Sequence, residues 1–157
     1  MLTQKRLQEL LLYYPETGKF YWRVSQGSKK AYTEAGCENR GYVMIKIDRI
    51  KYAAHRLAFL YIEGVFPEHD VDHKFGIKND NRWSELRKAT RSQNAANSGK
   101  RPANILGIKN VTQLKDTKKY QVIVQNKSYG CYADLELADL VATEVRNKVF
   151  GAYARHI

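Results

Sequence analysis

The sequence predicts an α+β fold in two parts. These are an N-terminal domain with a strand–loop–strand–helix core, and a C-terminal three-stranded antiparallel sheet with one packing helix. Residues 71–97 contain an Asp-His pair, a loop rich in Gly, Asn and Asp, a short strand-like run and a helix-start signal, in that order. After residue 105, three β-rich runs precede one amphipathic stretch. We therefore expect domains at 1–98 (core about 68–98) and 106–157, joined by a basic linker at 99–105.

Capping residues in the N-terminal domain indicate where its helices begin and end. Thr3 can cap a first helix, and Gly64 can end a later, buried one. Thr90 and Gln93 form a Thr-x-x-Gln capping box at the start of the core helix. The expected elements are a helix at 3–13, a strand at 19–24, a loop at 25–40, hairpin strands at 42–47 and 50–52, a helix at 54–63, and strands at 71–73 and 86–89 around a loop at 76–82.

The C-terminal domain reads as a strand meander covered on one face. Its strands are expected at 107–114, 120–125 and 128–132. Asp134 can cap a helix to about Phe150, and small alanines on one side of that helix allow it to lie close to the sheet. The other face of the sheet is then open.

Charge and cysteine content narrow the class of protein. The formal net charge of +11 predicts a polyanionic partner. Nucleic acid fits better than a membrane surface, because no basic amphipathic helix stands out. Cys37 and Cys131 lie far apart without metal-ligand spacing, which argues against zinc fingers and for a reduced, cytoplasmic protein. With no coiled coil or apolar seam in the sequence, we expect a monomer or a weak homodimer.

Asp72, His73 and Asn94 are the candidate residues for chemistry. A histidine can act as a general base near neutral pH. Carboxylate and amide oxygens are suitable ligands for Mg²⁺ or Mn²⁺, and Mg²⁺ commonly keeps several waters, so Asp72 and Asn94 would suffice. Neighbouring strand residues point to opposite sides unless the strand is distorted. An Asp-His pair in a turn-rich segment can also be only a structural hydrogen bond.

The stretch from about residue 40 to 100 resembles the HNH nuclease motif, the ββα-metal fold of phage-intron and free-standing homing endonucleases. The residues that carry this resemblance are Asp72-His73, Asn79-Asp80-Asn81-Arg82, Leu86 to Thr90, Ser92-Gln93-Asn94 and the lead-in Ala54 to Ala58. The resemblance implies that His73 activates water and that Asp72 and Asn94 bind one divalent metal, Mg²⁺ or Mn²⁺. The residues expected to support the motif are Asn81, Glu85, His55 and Asn97.

Two of these supporting residues leave alternatives open. The family usually has Asn where this chain has Glu85. An ionised carboxylate cannot donate a hydrogen bond. Glu85 either points at His73, raising its pKa and suppressing the base, or points outward while Asn79 or Asn81 braces the loop. His55 begins the helix at 54–63 and is either a capping or packing residue, or a contact to phosphate or the active site, since helix N-termini attract anions.

The C-terminal segment resembles the plant ethylene-response-factor (APETALA-type) DNA-binding domain. The residues are Gly107 to Val111, Lys119 to Val124, Tyr129 to Tyr132 and the helix from Asp134 to Gly151. By this likeness the open sheet face enters a DNA major groove. Most contacts are expected to be with phosphate, and Gln121 and Gln125 are candidates for base reading. The DNA-contact candidates are Arg91, Lys100, Arg101, Lys109, Lys115, Lys118, Lys119, Gln121 and Lys127.

We therefore expect a metal-dependent endonuclease that nicks or cuts double-stranded DNA and leaves a 5′ phosphate, of the homing or free-standing phage type. Its location would be the cytoplasm, that of the host cell if a phage encodes it. The alternative is a non-catalytic, sequence-specific DNA-binding regulator whose HNH centre is impaired by Glu85.

Overall fold

The computed structural model describes residues 1–99 and 105–155, which confirm the α+β class. They divide into two compact units, one at 1–91 and one from residue 92 onward. In the described residues the elements are α1 Gln4–Leu10, β1 Leu11–Tyr14, β2 Lys19–Trp22, β3 Cys37–Asn39, β4 Tyr42–Ile47, β5 Ile50–Ala53, α2 Ala54–Glu63, β6 Asp70–His73, β7 Leu86–Ala89, α3 Arg91–Asn97, β8 Val111–Gln113, β9 Tyr120–Val124, β10 Lys127–Tyr132 and α4 Leu135–Phe150. Short 3₁₀ turns lie at Trp83–Glu85 and Gly151–Tyr153. No described helix is long and apolar enough to cross a membrane.

The first helix is shorter than the sequence predicts. Thr3 caps α1 by accepting a hydrogen bond from the backbone of Arg6, as expected. The predicted continuation to Tyr13 is wrong, because Leu11–Tyr14 is strand β1, paired antiparallel with β2. Residues 11 and 13 are buried on one side of this strand, opposite Phe20 and Trp22. The hairpin buries Leu11 and Tyr13 but leaves Tyr14 exposed, and its long-range pairing overrides the helical spacing.

A three-stranded sheet and α2 form the middle of the first unit. Strand β4 lies between β3 and β5, with the β4–β5 turn at Asp48 and Arg49, as expected. Both turn residues have positive φ, which suits a two-residue hairpin. Strand β3 lies inside the stretch expected to be a loop, so that loop is wrong at Cys37–Asn39. Helix α2 ends at Gly64, whose φ is 82°.

Strands β6 and β7 form an antiparallel hairpin, and α3 begins directly after Thr90. The predicted strand, loop, strand and helix therefore occur in that order. Side chains of the hairpin pack on α2: the Phe59 and Trp83 ring centroids lie 4.7 Å apart, and Lys88 pairs with Glu63 at 2.5 Å. These contacts hold the hairpin against α2.

The core of the first unit joins its helices and sheets. Its fully buried large side chains are Leu7, Leu11, Phe20, Ile45, Ile47 and Leu57. Each contributes roughly 1.5–3 kcal/mol of burial free energy. This core fixes the hairpin β6–β7 on a rigid support.

In the second unit, β8, β9 and β10 form an antiparallel meander covered by α4. Asp134 caps α4, as expected, by accepting a hydrogen bond from the backbone of Leu137 at 2.8 Å. The first strand is shorter than predicted, since only Val111–Gln113 pair with β9. Val122 and Val124 are buried under α4 with its alanines, and Ile123 between them is exposed. The alternation leaves one sheet face open.

Candidate active site

His73 is the last residue of β6 and lies opposite Leu86 of β7. Its side chain is only 6% exposed. Burial lowers the pKa of His73, and this is partly opposed by the side chain of Asn81 and by the charges of Asp72 and Asp80. The net lowering favours the neutral imidazole, which is the form able to accept a proton.

Asp72 precedes His73 and is also buried, at 4% exposure. Neighbouring strand residues point to opposite faces, so both faces of the hairpin are covered at this point. Arg87, its cross-strand partner, donates hydrogen bonds from Nε and Nη2 to Asp72 Oδ2, each at 2.7 Å. The sequence did not predict this ion pair. The ion pair offsets the cost of burying the negative charge of Asp72 and fixes the position of its carboxylate.

The loop between β6 and β7 is braced by Asn81, which is 2% exposed. Its Nδ2 donates to the Asn79 carbonyl at 3.2 Å, and its own carbonyl accepts a hydrogen bond of 2.7 Å from the Tyr13 hydroxyl. Asn81 Oδ1 is buried and meets no partner with normal hydrogen-bond geometry in the described residues. The same side chain nevertheless lies close enough to His73 to raise the imidazole pKa as a hydrogen-bond acceptor would.

Gly18 couples the loop between β6 and β7 to the N-terminal β1–β2 hairpin. A Cβ atom at Gly18 would lie 2.3 Å from Arg82 N and 2.3 Å from the carbonyl carbon of Asn81. The β1–β2 turn therefore packs directly on the backbone of the loop. Only a glycine allows this approach, and its φ of +71° is also one that glycine adopts readily.

Glu85 lies in the 3₁₀ turn before β7 and is half-buried. Its Oε1 accepts a hydrogen bond from the Ser84 hydroxyl at 3.2 Å, and its Oε2 is buried without a hydrogen-bond partner in the described residues. The groups that raise the pKa of His73 are Asn81, Asp72 and Asp80. Glu85 is therefore not among the groups that shift the pKa of His73, and the alternative in which it points outward stays a prediction.

His55 lies in the first turn of α2, beside the His73 ring. The two ring centroids are 5.1 Å apart and the rings are nearly perpendicular, at 83°. Tyr42 contacts both, with centroid distances of 5.5 Å to His55 and 6.1 Å to His73. Burial lowers the pKa of His55 to about 4, with smaller contributions from His73 and Arg56.

Three other predicted residues lie on or beside α3. Arg91 is exposed and, with Arg56, His69 and Asp70, lines an open cleft of about 470 Å³ in the first unit. Asn94 is half-buried and Asn97 is buried; both are on the part of α3 that belongs to the second unit. The combination of Asn94 with Asp72 in one site stays a prediction.

The predicted DNA contacts in the second unit differ in their surroundings. Lys115, Lys118, Lys119 and Lys127 are exposed, and Gln121 is half-buried with a weak hydrogen bond to Ser128 at 3.4 Å. Lys109 is different, because its ammonium donates to the backbone carbonyls of Ala96 and Ser98 at the end of α3. Lys100 and Arg101 lie outside the described residues.

The proposed metal ligands are oxygen donors. Among residues 1–99 and 105–155, no three His, Cys, Asp or Glu side chains gather as a transition-metal cluster would. One buried carboxylate and one amide are hard oxygen donors, which suit Mg²⁺ or Mn²⁺ completed by water and substrate. Asp72 also carries the Arg87 ion pair, so a bound ion would share this carboxylate with a guanidinium.

Four residues at the site were not predicted: Tyr13, Gly18, Tyr42 and Arg87. Arg87 had a usable signal, because it lies opposite Asp72 once the two strands are paired. Tyr13 and Gly18 are more than 60 residues from Asn81, and no local pattern links them to the loop.

Residues 52–96 match a protein-family model described as HNH endonuclease. The matched segment begins in β5 and includes α2, the hairpin with Asp72 and His73, and α3 through Ala96. No curated protein and no solved structure matches the chain. The family match supports an HNH-type nuclease domain, which implies DNA as the substrate.

Proposed function

We propose that the chain is a metal-dependent endonuclease that hydrolyses phosphodiester bonds of double-stranded DNA. The main support is His73, a buried imidazole with a lowered pKa beside a buried carboxylate, within the segment that matches the HNH endonuclease family. The resemblance to homing and free-standing phage endonucleases suggests the same biological type, acting as a nicking or a double-strand-cutting enzyme.

In the proposed mechanism, neutral His73 accepts a proton from the water that attacks phosphorus. Asn81 keeps the imidazole and the loop in place, and Arg87 holds the Asp72 carboxylate. Asp72 and Asn94 would hold one Mg²⁺ or Mn²⁺, and a bound ion would supply stabilisation of negative charge during phosphodiester hydrolysis. The product carries a 5′ phosphate.

We further propose that the C-terminal unit docks the DNA with the open face of its sheet, as in APETALA-type domains. The exposed lysines at 115, 118 and 119 lie between β8 and β9, and Lys127 begins β10; they carry the charge that phosphate contacts need. The unit would then supply affinity and site choice, while the first unit supplies the chemistry.

The function is tested with supercoiled plasmid and the purified full chain. We expect conversion to nicked or linear plasmid with Mg²⁺ or Mn²⁺ and none with EDTA. Ligation of the product without prior kinase treatment would identify the 5′ phosphate. A protein that shifts DNA in gels but leaves plasmid intact with either metal would instead be a DNA-binding regulator.

Removing the proposed metal ligands should impair cleavage more than binding. We expect Asp72→Asn and Asn94→Ala each to slow cleavage by about 10²-fold or more, because the phosphate charge is then less well neutralised. DNA affinity, measured by fluorescence anisotropy with Ca²⁺, should change by less than about threefold. The matched control is Asp116→Asn, a carboxylate-to-amide change at an exposed turn. If Asn94→Ala cleaves at the wild-type rate, Asn94 is not a ligand.

Charge reversal on the C-terminal unit should have the opposite effect. We expect Lys118→Glu with Lys119→Glu to weaken DNA binding and to reduce the slope of log affinity against log salt by about 2, one unit for each lost phosphate contact. The cleavage rate at saturating DNA should stay near that of the wild type. The control is Lys148→Glu with Lys5→Glu, which changes the total charge by the same amount but at positions on helices α4 and α1. Equal slopes for the two double variants would exclude a specific docking face.

A further inference from the structure

A second imidazole stands beside the proposed base and has no role in the mechanism above. The ring of His55 contacts that of His73 edge-on, with 5.1 Å between centroids. Its neighbour Arg56 is engaged by the backbone, because its guanidinium donates to the carbonyls of Pro67 and His69. The start of α2 thus supplies one structural side chain and one that faces the site.

The polar atoms of His55 do not fit a purely packing role. Nδ1 is buried and has no hydrogen-bond partner in the described part of the chain. A buried polar atom without a partner costs about 1–3 kcal/mol, and a phenyl ring would fill the same space beside Tyr42 without that cost. The ring is only half-buried, so its remaining edge can be reached by a ligand. Such groups in native sites call for a functional explanation.

The substrate atom within reach of His55 follows from the position of His73. A general base lies about 2.6–3.2 Å from the water it deprotonates, and that water lies about 3–3.5 Å from phosphorus. The scissile phosphorus is therefore within about 7 Å of the His73 ring, on whichever side the water approaches. Among the described residues, Tyr42 and His55 line one side of this ring, and the ammonium of Lys78 lies 5.1 Å from the Tyr42 ring centroid.

We propose that His55 is a second catalytic residue, which donates a hydrogen bond from its imidazole to a non-bridging oxygen of the scissile phosphate. This rests on the proposed nuclease function. Charge on that oxygen increases in the transition state, so the hydrogen bond is strongest when it is needed. Burial keeps His55 neutral at pH 7, so it donates without adding a positive charge next to the base. The ammonium of Lys78, over the Tyr42 ring, adds positive charge near the cluster.

The test compares two His55 variants with a matched control outside the cluster. His55→Phe keeps the ring and removes both nitrogens, while His55→Gln keeps a donor and loses the ring. His69→Phe is the matched control, because it makes the same imidazole-to-phenyl change at an exposed histidine. We expect His55→Phe to lower kcat by about 10²- to 10³-fold, as loss of one donor to an oxyanion does. Its KM for DNA and its melting temperature should remain near wild type, and His69→Phe should cleave within about threefold of wild type.

Chirally pure phosphorothioate at the mapped cleavage position separates a phosphate contact from a structural role. In the wild type, replacing the oxygen that His55 contacts with sulfur should slow cleavage. Exchanging Mg²⁺ for Mn²⁺ should not restore the rate on that diastereomer. In His55→Phe this slowing should shrink by at least about threefold, because the contact is already lost. His55→Gln should recover part of kcat and of the sulfur effect.

Two results would overturn the proposal. One is a His55→Phe enzyme that cleaves within about threefold of wild type. The other is a slowing by sulfur that is as large as in the wild type in every His55 variant that folds. A wild-type chain that cuts no DNA would instead refute the nuclease function itself, so the two failures are distinguishable.

Discussion

Replacing His73 with alanine should slow DNA cleavage by about 10³-fold, within the 10²–10⁴ range typical for loss of a general base. The side chain is 6% exposed and its pKa is lowered by burial, so the wild-type imidazole is available as a base at neutral pH. DNA affinity should be almost unchanged, because the charge that attracts phosphate lies elsewhere. Single-turnover cleavage of plasmid with Mg²⁺ or Mn²⁺ measures the rate, and anisotropy measures the affinity.

His69→Ala is the matched control for this substitution. His69 is an exposed histidine just before β6, and its backbone carbonyl accepts a hydrogen bond from Arg56. It should therefore cleave at the wild-type rate. If wild type and His73→Ala cleave equally poorly and both still shift DNA, the chain is a DNA-binding regulator. Equal and rapid cleavage would mean that another group is the base.

Substituting Gly18 with alanine should destabilise the first unit far more than the same change at Gly27. Both glycines have positive φ, +71° and +60°, so each substitution carries a similar backbone strain of about 1–2 kcal/mol. At Gly27 the new methyl group meets nothing within 4 Å, whereas at Gly18 it would lie 2.3 Å from backbone atoms of Asn81 and Arg82. We expect Gly18→Ala to lower the free energy of unfolding by about 2 kcal/mol more than Gly27→Ala, as for overpacking in a rigid core.

Urea unfolding monitored by tryptophan fluorescence tests this difference, since Trp22 and Trp83 both lie in the first unit. Gly18→Ala should also slow cleavage below its melting temperature. The clash displaces Asn81 and with it His73, and a shift of about 1 Å in a reacting group can cost about 10²-fold in rate. If the two glycine variants are equally stable and equally active, the loop does not depend on the hairpin.

Much of the fold was predictable because its signals are local. Thr3, Gly64 and Asp134 cap or end helices through contacts within four residues, and the β4–β5 turn depends on two adjacent residues. The errors concern long-range pairing. Leu11–Tyr14 have helical spacing, and their pairing with β2 becomes favourable only once the turn at Gly18 is formed and packed. Strand β3 has three exposed residues, so no apolar alternation could reveal it.

The position of Asp72 and His73 at the end of β6 was predictable, because the motif that contains them is contiguous in sequence. The contacts that hold these two residues in place could not be predicted from local sequence. Whether Glu85 or Asn81 faces His73 depends on the path of the loop, which Tyr13 and Gly18 determine from about 65 residues away. The pairing of Asp72 with Arg87 required the β6–β7 register. Lys109 illustrates the converse. Its charge predicted a DNA contact, but its ammonium donates hydrogen bonds to the carbonyls of Ala96 and Ser98 at the end of α3.

The Tyr13–Asn81 hydrogen bond has a consequence for using this centre as a portable cutting module. The segment that matches the nuclease family begins at residue 52, whereas the hydroxyl that holds the loop comes from residue 13. A graft of the matched segment into another scaffold would carry Asp72, the proposed base His73 and α3, but it would leave the loop without its anchor. Grafts made to test the proposed nuclease activity should therefore also include the N-terminal hairpin at residues 11–22.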